Sequence, residues 1–237
     1  MQDSVQVLGE VNVVDRVPRP KSLTELAYQE LRDGILEGGF APGRRVSVVS
    51  LAAEMGMSRS PVRAAVERLA TDGLMTLTPG GAFVPTAGRG DLLDALAVRA
   101  PLEGLAARLA APQLADSDID VLSSIHAEFD AAVKRGDTRV ARKADFQFHQ
   151  QVQTHCGNEC LVEHLERVQA RVILATYSTA WSSDQTKAVP EHALILAALS
   201  ARDGEAAGRA ATVHLENLAE RVRREWRRRD REESSTA

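Results

Sequence analysis

The stretch VVSLAAEMGMSRSPVRAAVERLATDGLMTLTPGGAFVPT, residues 48–86, decides the reading of this chain. Leu51, Ala52 and Met55 share one helical face, and Gly56 breaks that helix. Ser58 or Ser60 is placed to cap a second helix by accepting a backbone N–H, and Pro61 suits a first turn whose N–H has no partner. Val62, Val66 and Leu69 follow at i, i+4 and i+7 and mark the buried face of that helix. Two short helices joined by a tight turn containing glycine form a helix-turn-helix. Gly73 ends the second helix. Leu74 to Thr78 then leads into Pro79-Gly80-Gly81 and returns through Ala82 to Val84, the pattern of a two-stranded wing.

The second helix opens with Ser58, Arg59, Ser60 and Arg63 on its polar side. In a helix-turn-helix this end enters a major groove, and arginine grips guanine O6 and N7 with two hydrogen bonds. Arg68 fits a solvated surface position instead. Residues 21–87 hold seven Lys/Arg and seven Asp/Glu. The neutral balance predicts modest non-specific attraction to phosphate, with binding resting on a few placed arginines and on two copies of the unit.

Working outward, the 237 residues suffice for one large domain or two modest ones. With 4% aromatics and recurrent Ala, Leu, Arg and Glu, helix is the favoured prior. Apolar runs fall well short of the ~18 residues a membrane span needs. The opening MQDSVQVLGEVNVVDRVPRPKS has no basic segment leading into an apolar core, so no secretory signal is expected. Cys156 and Cys160 cannot form a disulfide framework and read as packed thiols, and a cytoplasmic location is expected. The net charge of −4 argues weakly against a nucleic-acid partner, an objection the arginines answer locally.

Residues 1–20 read as a loose arm, with a strand-like stretch at Val11 to Val14. Residues 21–87 form the winged helix-turn-helix, and PTAGRGD at 85–91 is a linker. From 91 to about 230 the pattern is helical, punctuated at Ala111-Pro112, Arg135-Gly136-Asp137, Cys156-Gly157-Asn158, Ser182-Ser183-Asp184 and Arg202-Asp203-Gly204. About six helices with short joins are expected. The fold class is therefore mainly α: an N-terminal winged helix-turn-helix followed by an all-α helical bundle.

Within the bundle, ADFQFHQQV places Asp145 and His149 at i, i+4, one turn apart on one face. A carboxylate oxygen and an imidazole nitrogen at that spacing can share a metal ion, although such a pair alone is more often a surface hydrogen bond. PEHALILAAL puts His192 at the start of an amphipathic helix, and ATVHLENLAERV sets His214 between Val213 and Leu215, where an unpaired imidazole is costly. The run RVRREWRRRDREE at 221–233 holds seven arginines, and its interspersed acids make a solvated helix end.

Residues 23–86 resemble the DNA-binding domain of the GntR family of regulators. The likeness extends back through LTELAYQELRDGILEGGFAPGRRVS, residues 23–47. It implies that Ser58, Arg59, Ser60 and Arg63 touch DNA, as does the wing tip at Gly80. The chain departs from the FadR-like pattern at Val49, where a basic or polar residue is usual, and in lacking a basic residue beside Gly80. DLLDALAVRAPLEGLAARLAA, DFQFH, GNECLVEHLERV and EHALILAALSARDGEAAGRAATVHLENL, in that order, resemble the helical effector (FCD) domain of FadR-like members. The resemblance implies that Asp145, His149, His192 and His214 bind a divalent ion, zinc or nickel, and that Arg99 and Asn158 help hold a small carboxylate. Pro101, two residues after Arg99, is expected to bend that helix and threatens to turn Arg99 away.

The function implied is a metabolite-responsive, DNA-binding transcriptional regulator acting as a homodimer on operator DNA, with no membrane partner and no enzymatic activity. Two alternatives are a metal-dependent hydrolase using a site of three histidines and one aspartate, and a regulator that senses the metal itself.

Overall fold

The computed structural model describes residues 22–36, 39–79, 81–178 and 185–236. The expected arm at 1–20, the Val11–Val14 stretch, Gly80 and the Ser182-Ser183-Asp184 punctuation lie outside the described residues.

The N-terminal unit begins with α1 (Leu23–Leu36), followed by β1 (Arg45–Val46), α2 (Val48–Glu54) and α3 (Arg59–Thr71). Ser47 caps α2, its hydroxyl accepting the Ser50 N–H at 3.0 Å. Gly56 turns the chain at φ +61°, a left-handed conformation that favours glycine. Ser58 occupies the N-cap of α3 with extended backbone, but its side chain makes no capping bond. Val62, Ala65, Val66 and Leu69 are buried, the face their spacing predicts.

β2 (Thr76–Thr78) and β3 (Gly81–Phe83) form the wing, with Thr76 opposite Phe83 and Thr78 opposite Gly81. The expected wing had two strands, whereas the sheet has three, ordered β1-β3-β2. Arg45 pairs with Phe83 and Val46 with Ala82. Two residues carry too little alternation to announce a strand, so pairing to β3 rather than local pattern makes β1. Gly81 stands where a Cβ would overlap the Val46 carbonyl, so this close approach needs glycine.

Among the described residues six helices follow: α4 (Arg89–Ala110), α5 (Asp116–Arg135), α6 (Thr138–Thr154), α7 (Glu159–Ser178), α8 (Ala188–Ser200) and α9 (Gly204–Thr236), with a 3-10 turn at Gln185–Lys187 before α8. Asp137 caps α6 through Val140 N, and Asn158 caps α7 through Leu161 N at 3.0 Å. Phe148, Leu122, Leu165, Ile195 and Leu199 are fully or almost fully buried in the bundle core. α4 and α9 pack closely at Gly104 and Gly208, where a Cβ on Gly208 would lie 2.9 Å from the Gly104 carbonyl oxygen. This approach brings Glu103 of α4 and His214 of α9 to the same interior.

The two units touch through α7, whose Ala170 and Leu174 join the core cluster of α1, α2 and α3. No described helix is long and apolar enough to cross a membrane. Pro101 lies within α4 without ending it, and Arg99 is buried, so the bend expected to turn Arg99 outward does not do so. Pro101 itself is exposed, which places the helix's missing hydrogen bond on the solvent side. Of the two cysteines read as packed, Cys156 is buried and Cys160 is exposed.

Candidate metal centre and DNA-reading face

Asp145 and His149 project from α6, His192 from the first turns of α8 and His214 from the middle of α9. One ligand atom from each lies within 4.8 Å of all the others. His192 Nε2 is 3.3 Å from His214 Nε2 and 3.4 Å from Asp145 Oδ1. The His149 and His214 rings stack at 5.2 Å, and His149 meets His192 edge-on at 5.1 Å. All three imidazoles are buried, while the Asp145 side chain is 32% exposed and forms the open side of the cluster.

Two of the imidazoles are held from behind by carboxylates that the sequence reading did not single out. His149 Nδ1 lies 2.9 Å from Glu103 Oε2, and His214 Nδ1 lies 2.8 Å from Glu191 Oε2. Each carboxylate is clamped in turn by an arginine. Arg99 Nε donates to Glu103 Oε1 at 2.7 Å, and Gln153 Nε2 donates to the same oxygen at 3.0 Å. Arg221 grips Glu191 with two bonds, of 2.7 and 3.0 Å, and Asn217 adds a third donor at 3.0 Å. Signals for these partners did exist: Glu103 is i+4 from Arg99, Glu191 immediately precedes His192, and Arg221 is i+7 from His214.

Burial opposes ionisation of Glu103, but Arg99 and His149 outweigh it and hold the carboxyl well below the usual carboxylate range. Burial opposes ionisation of Glu191 too, and the bonds from His214 and Arg221 bring it down to about 2. His192 is pushed well below its ordinary 6.5, first by burial and then by the neighbouring His214, His149, His126 and Arg99. Burial also lowers His214, against the pull of Glu191. The His192–Asp145 contact is therefore between a neutral ring and a carboxylate, not an ion pair.

This chemistry fits a cation. Ionised Glu103 and Glu191 accept the Nδ1–H of His149 and His214, which leaves each Nε2 lone pair for the cluster. Three imidazole nitrogens and one carboxylate are a donor set suited to borderline divalent metals.

Arg99, expected at an effector cavity, is 3% exposed on the Glu103 side of this centre. Its Nη2 approaches Glu103 Oε1 at 2.7 Å without hydrogen-bond alignment and has no hydrogen-bond partner. Asn158 is placed differently: it is exposed at the α7 N-cap, and the cluster does not include it. His155 lies 3.4 Å from Asp118, and His164 contacts its own helix at the Cys160 carbonyl, so neither joins the centre.

On the other unit, Ser58, Arg59, Ser60 and Arg63 are all exposed at the start of α3. No hydrogen bond or ion pair engages Arg59 or Arg63 among the described residues. Arg68 differs: it bonds Glu25 at 2.6 Å and lies 3.8 Å over the Tyr28 ring, while the Tyr28 hydroxyl donates to Asp72. Arg68 thus ties α3 to α1.

A winged helix with an uncommitted arginine end, joined to a helical bundle with a buried His/Asp cluster, defines a DNA-binding protein with a sensor domain. Comparison with known proteins gives the same class. Residues 23–84 match the bacterial regulatory proteins of the gntR family, and residues 94–217 match the FCD domain. A probable D-xylose utilization operon transcriptional repressor of Paenarthrobacter nicotinovorans is 33% identical over 184 residues, 76% of this chain and 80% of that protein. The HTH-type transcriptional regulator McbR of Escherichia coli is 28% identical over 188 residues, 78% of this chain and 85% of McbR. The solved E. coli McbR/YncC structure superposes with a TM-score of 0.76 at 24% identity, over 87% of this chain and all of that one. A GntR transcriptional regulator structure from Rhodococcus sp. RHA1 gives 0.69 at 23% identity, over 85% and 98%. The chain belongs to the gntR family and carries an FCD domain. It is a metabolite-responsive transcriptional regulator of a DNA-binding, non-enzymatic family.

Proposed function

We propose that this regulator is a FadR-like member in which Asp145, His149, His192 and His214 hold a divalent metal, zinc or nickel, that anchors a small organic acid. The observation that carries this reading is the convergence of four ligand atoms within 4.8 Å from three separate helices, inside a bundle. A bound divalent cation supplies a positive centre that attracts a carboxylate oxygen. Charge counting favours an anionic effector. Arg99 and Arg221 already offset Glu103 and Glu191, so Asp145 alone would leave a dication half compensated. The buried, unbonded Nη2 of Arg99 is a donor suited to the same anion. Asn158 accepts the Leu161 N–H with Oδ1 at the α7 N-cap and is kept as an effector contact through its amide N–H.

Residues 21–87 act as the reading domain, through Ser58, Arg59, Ser60 and Arg63 and the wing tip at Gly80. Residues 91–230 bind effector and pair two chains, since a two-fold dimer suits a palindromic operator. Effector binding shifts the equilibrium between arrangements of the two reading heads, on the usual scale of about 1–3 kcal/mol.

The test is a panel of sugar acids, hydroxy acids and dicarboxylates, titrated against protein bound to DNA that it has retained from its own genome. The titration is run with and without chelator. An acid that changes DNA affinity only in metal-loaded protein is the expected result. Equal release of DNA from chelated protein would separate effector from metal and overturn the mechanism.

A further inference from the structure

Beyond the four ligands, the two Arg–Glu pairs behind them are built as a matched set. Arg99–Glu103 backs His149 from α4, and Arg221–Glu191 backs His214 from α9 and α8. His192 has no counterpart: its Nδ1 is buried without a hydrogen-bond partner. That ring is held by stacking instead, on Phe148 at 4.6 Å and 12° and on Phe129 at 5.0 Å and 29°.

We infer that Glu103 and Glu191 are positioning residues that fix His149 and His214 as Nδ1–H tautomers before metal arrives, whereas His192 is fixed in place but not as the ligating tautomer. The inference rests on the metal-site reading above. In metal-free protein His192 keeps its proton on Nε2, where it faces His214 Nε2 at 3.3 Å and Asp145 Oδ1 at 3.4 Å. Ligation by that Nε2 requires the proton to leave it and the ring to become the Nδ1–H form. One ring of three therefore has to rearrange, and two are ready.

The oxygen assignments make the two carboxylates separately testable. Glu103 Oε1 already receives Arg99 and Gln153, while Oε2 alone faces His149. In Glu103→Gln the single carbonyl oxygen stays with Arg99 and Gln153, and the amide N–H turns to His149 Nδ1. That ring is then driven to the Nε2–H form, which cannot ligate. Glu191→Gln acts likewise at His214 when its carbonyl oxygen keeps the bonds from Arg221 Nη1 and Asn217; the amide N–H then faces His214 Nδ1, and the 3.0 Å bond from Arg221 Nη2 to Oε2 is given up. Glu191 is partly exposed, so this variant tolerates the lost charge more easily than Glu103→Gln does.

The experiment uses full-length protein with 15N-labelled histidine. Ring-nitrogen spectra of the metal-free form are combined with cobalt(II) absorption and zinc affinity by chelator competition. The parent should show His149 and His214 as Nδ1–H and His192 as Nε2–H. Each Gln variant should reverse only its own ring, shift the cobalt(II) spectrum and weaken zinc about 10–100-fold. Glu220→Gln, on the exposed side of α9, should change none of these. Parental tautomers and zinc affinity in both Gln variants, with zinc lost in His214→Ala, would overturn the positioning role and leave the metal site standing. Full zinc retention in His192→Ala with His214→Ala would overturn the site and this inference together.

Discussion

The exposed end of α3 and the interior of the bundle treat charge in opposite ways. Arg59 and Arg63 stand in solvent with no partner among the described residues, whereas Arg99 and Arg221 are each locked to a glutamate behind a histidine. An uncommitted surface arginine costs nothing to leave in water, so it stays available for a partner from outside. A buried charge is costly unless paired, so the interior arginines accompany carboxylates that themselves serve the imidazoles. The first arrangement suits recognition of a separate molecule, and the second suits holding something inside.

Removing ligands should produce the largest effect and would break this comparison if it did not. An ion present at about a thousand times its dissociation constant adds about 4 kcal/mol to stability. His214→Ala, or Asp145→Ala with His149→Ala, should abolish metal content and lower the melting temperature of as-purified protein by about 10 °C. Chelation of the parent should reproduce most of that shift in calorimetry and add little in the variants. The proposed DNA contacts of α3 lie in the other unit, so metal loss alone should leave Arg63 exposed.

The arginines sharpen the contrast further. Arg63→Ala should weaken DNA binding by about 1–3 kcal/mol per half-site, with unchanged metal content and melting temperature. Arg68→Ala should show the reverse, a small loss of stability from the Glu25 and Tyr28 contacts with DNA affinity nearly kept. Gel-shift titration beside thermal melts separates the two. Equal DNA losses in both variants would mean that exposure and commitment do not distinguish reader from scaffold on this helix.

The winged unit was legible because its signals are local. Gly56, Ser58, Pro61 and the Val62-Val66-Leu69 spacing all fall within one short stretch, and each residue's role follows from near neighbours. β1 was missed because its cause lies in β3, far along the chain. Asp145 and His149 were visible as a pair on one helix, but nothing local joins them to His192 or His214. Only the resemblance linked those three helices, and their packing brings the four atoms together. Glu103 and Glu191 stayed unread because a glutamate on a helix is ordinary until its burial is known. Asn158 shows the converse: its Oδ1 caps α7 just after the Gly157 turn, a local role that the resemblance did not announce.

Acidity probes the interior next, at smaller cost. His192 and His214 titrate below their ordinary 6.5 in the folded chain. As pH falls through that value the unfolded chain takes up protons that the folded rings refuse, so the stability of metal-free protein should fall with it. Above that value these rings should contribute no slope. The depressed Glu103 and Glu191 act in a lower window: their contribution is present above 4.5 and lost as pH falls below it, for Glu191 toward about 2. Urea midpoints of chelated protein between about pH 8 and about pH 5 therefore isolate the histidines. A flat profile across that interval would mean that the imidazoles are not held neutral.

The smallest effect belongs where the two regions join. Arg89, inside the stretch read as a linker and the first residue of α4, meets Asp230 at 2.5 Å and lies 5.6 Å over the ring of Trp226, both on the far part of α9. The Arg89 and Asp230 side chains are about half exposed, so their attraction is largely screened by water. Asp230→Asn should cost less than about 1 kcal/mol, and the difference should vanish near 1 M salt, where the Debye length is about 3 Å. Trp226 keeps its burial in this variant, so α9 should stay docked on α4. What the substitution loosens is the grip on the residue through which the reading unit enters the bundle. Paired melts in low and high salt measure the stability term, and effector-dependent DNA affinity measures any change in coupling. A loss of several kcal/mol that persists in high salt would show that this contact belongs with the committed interior pairs and not with the surface.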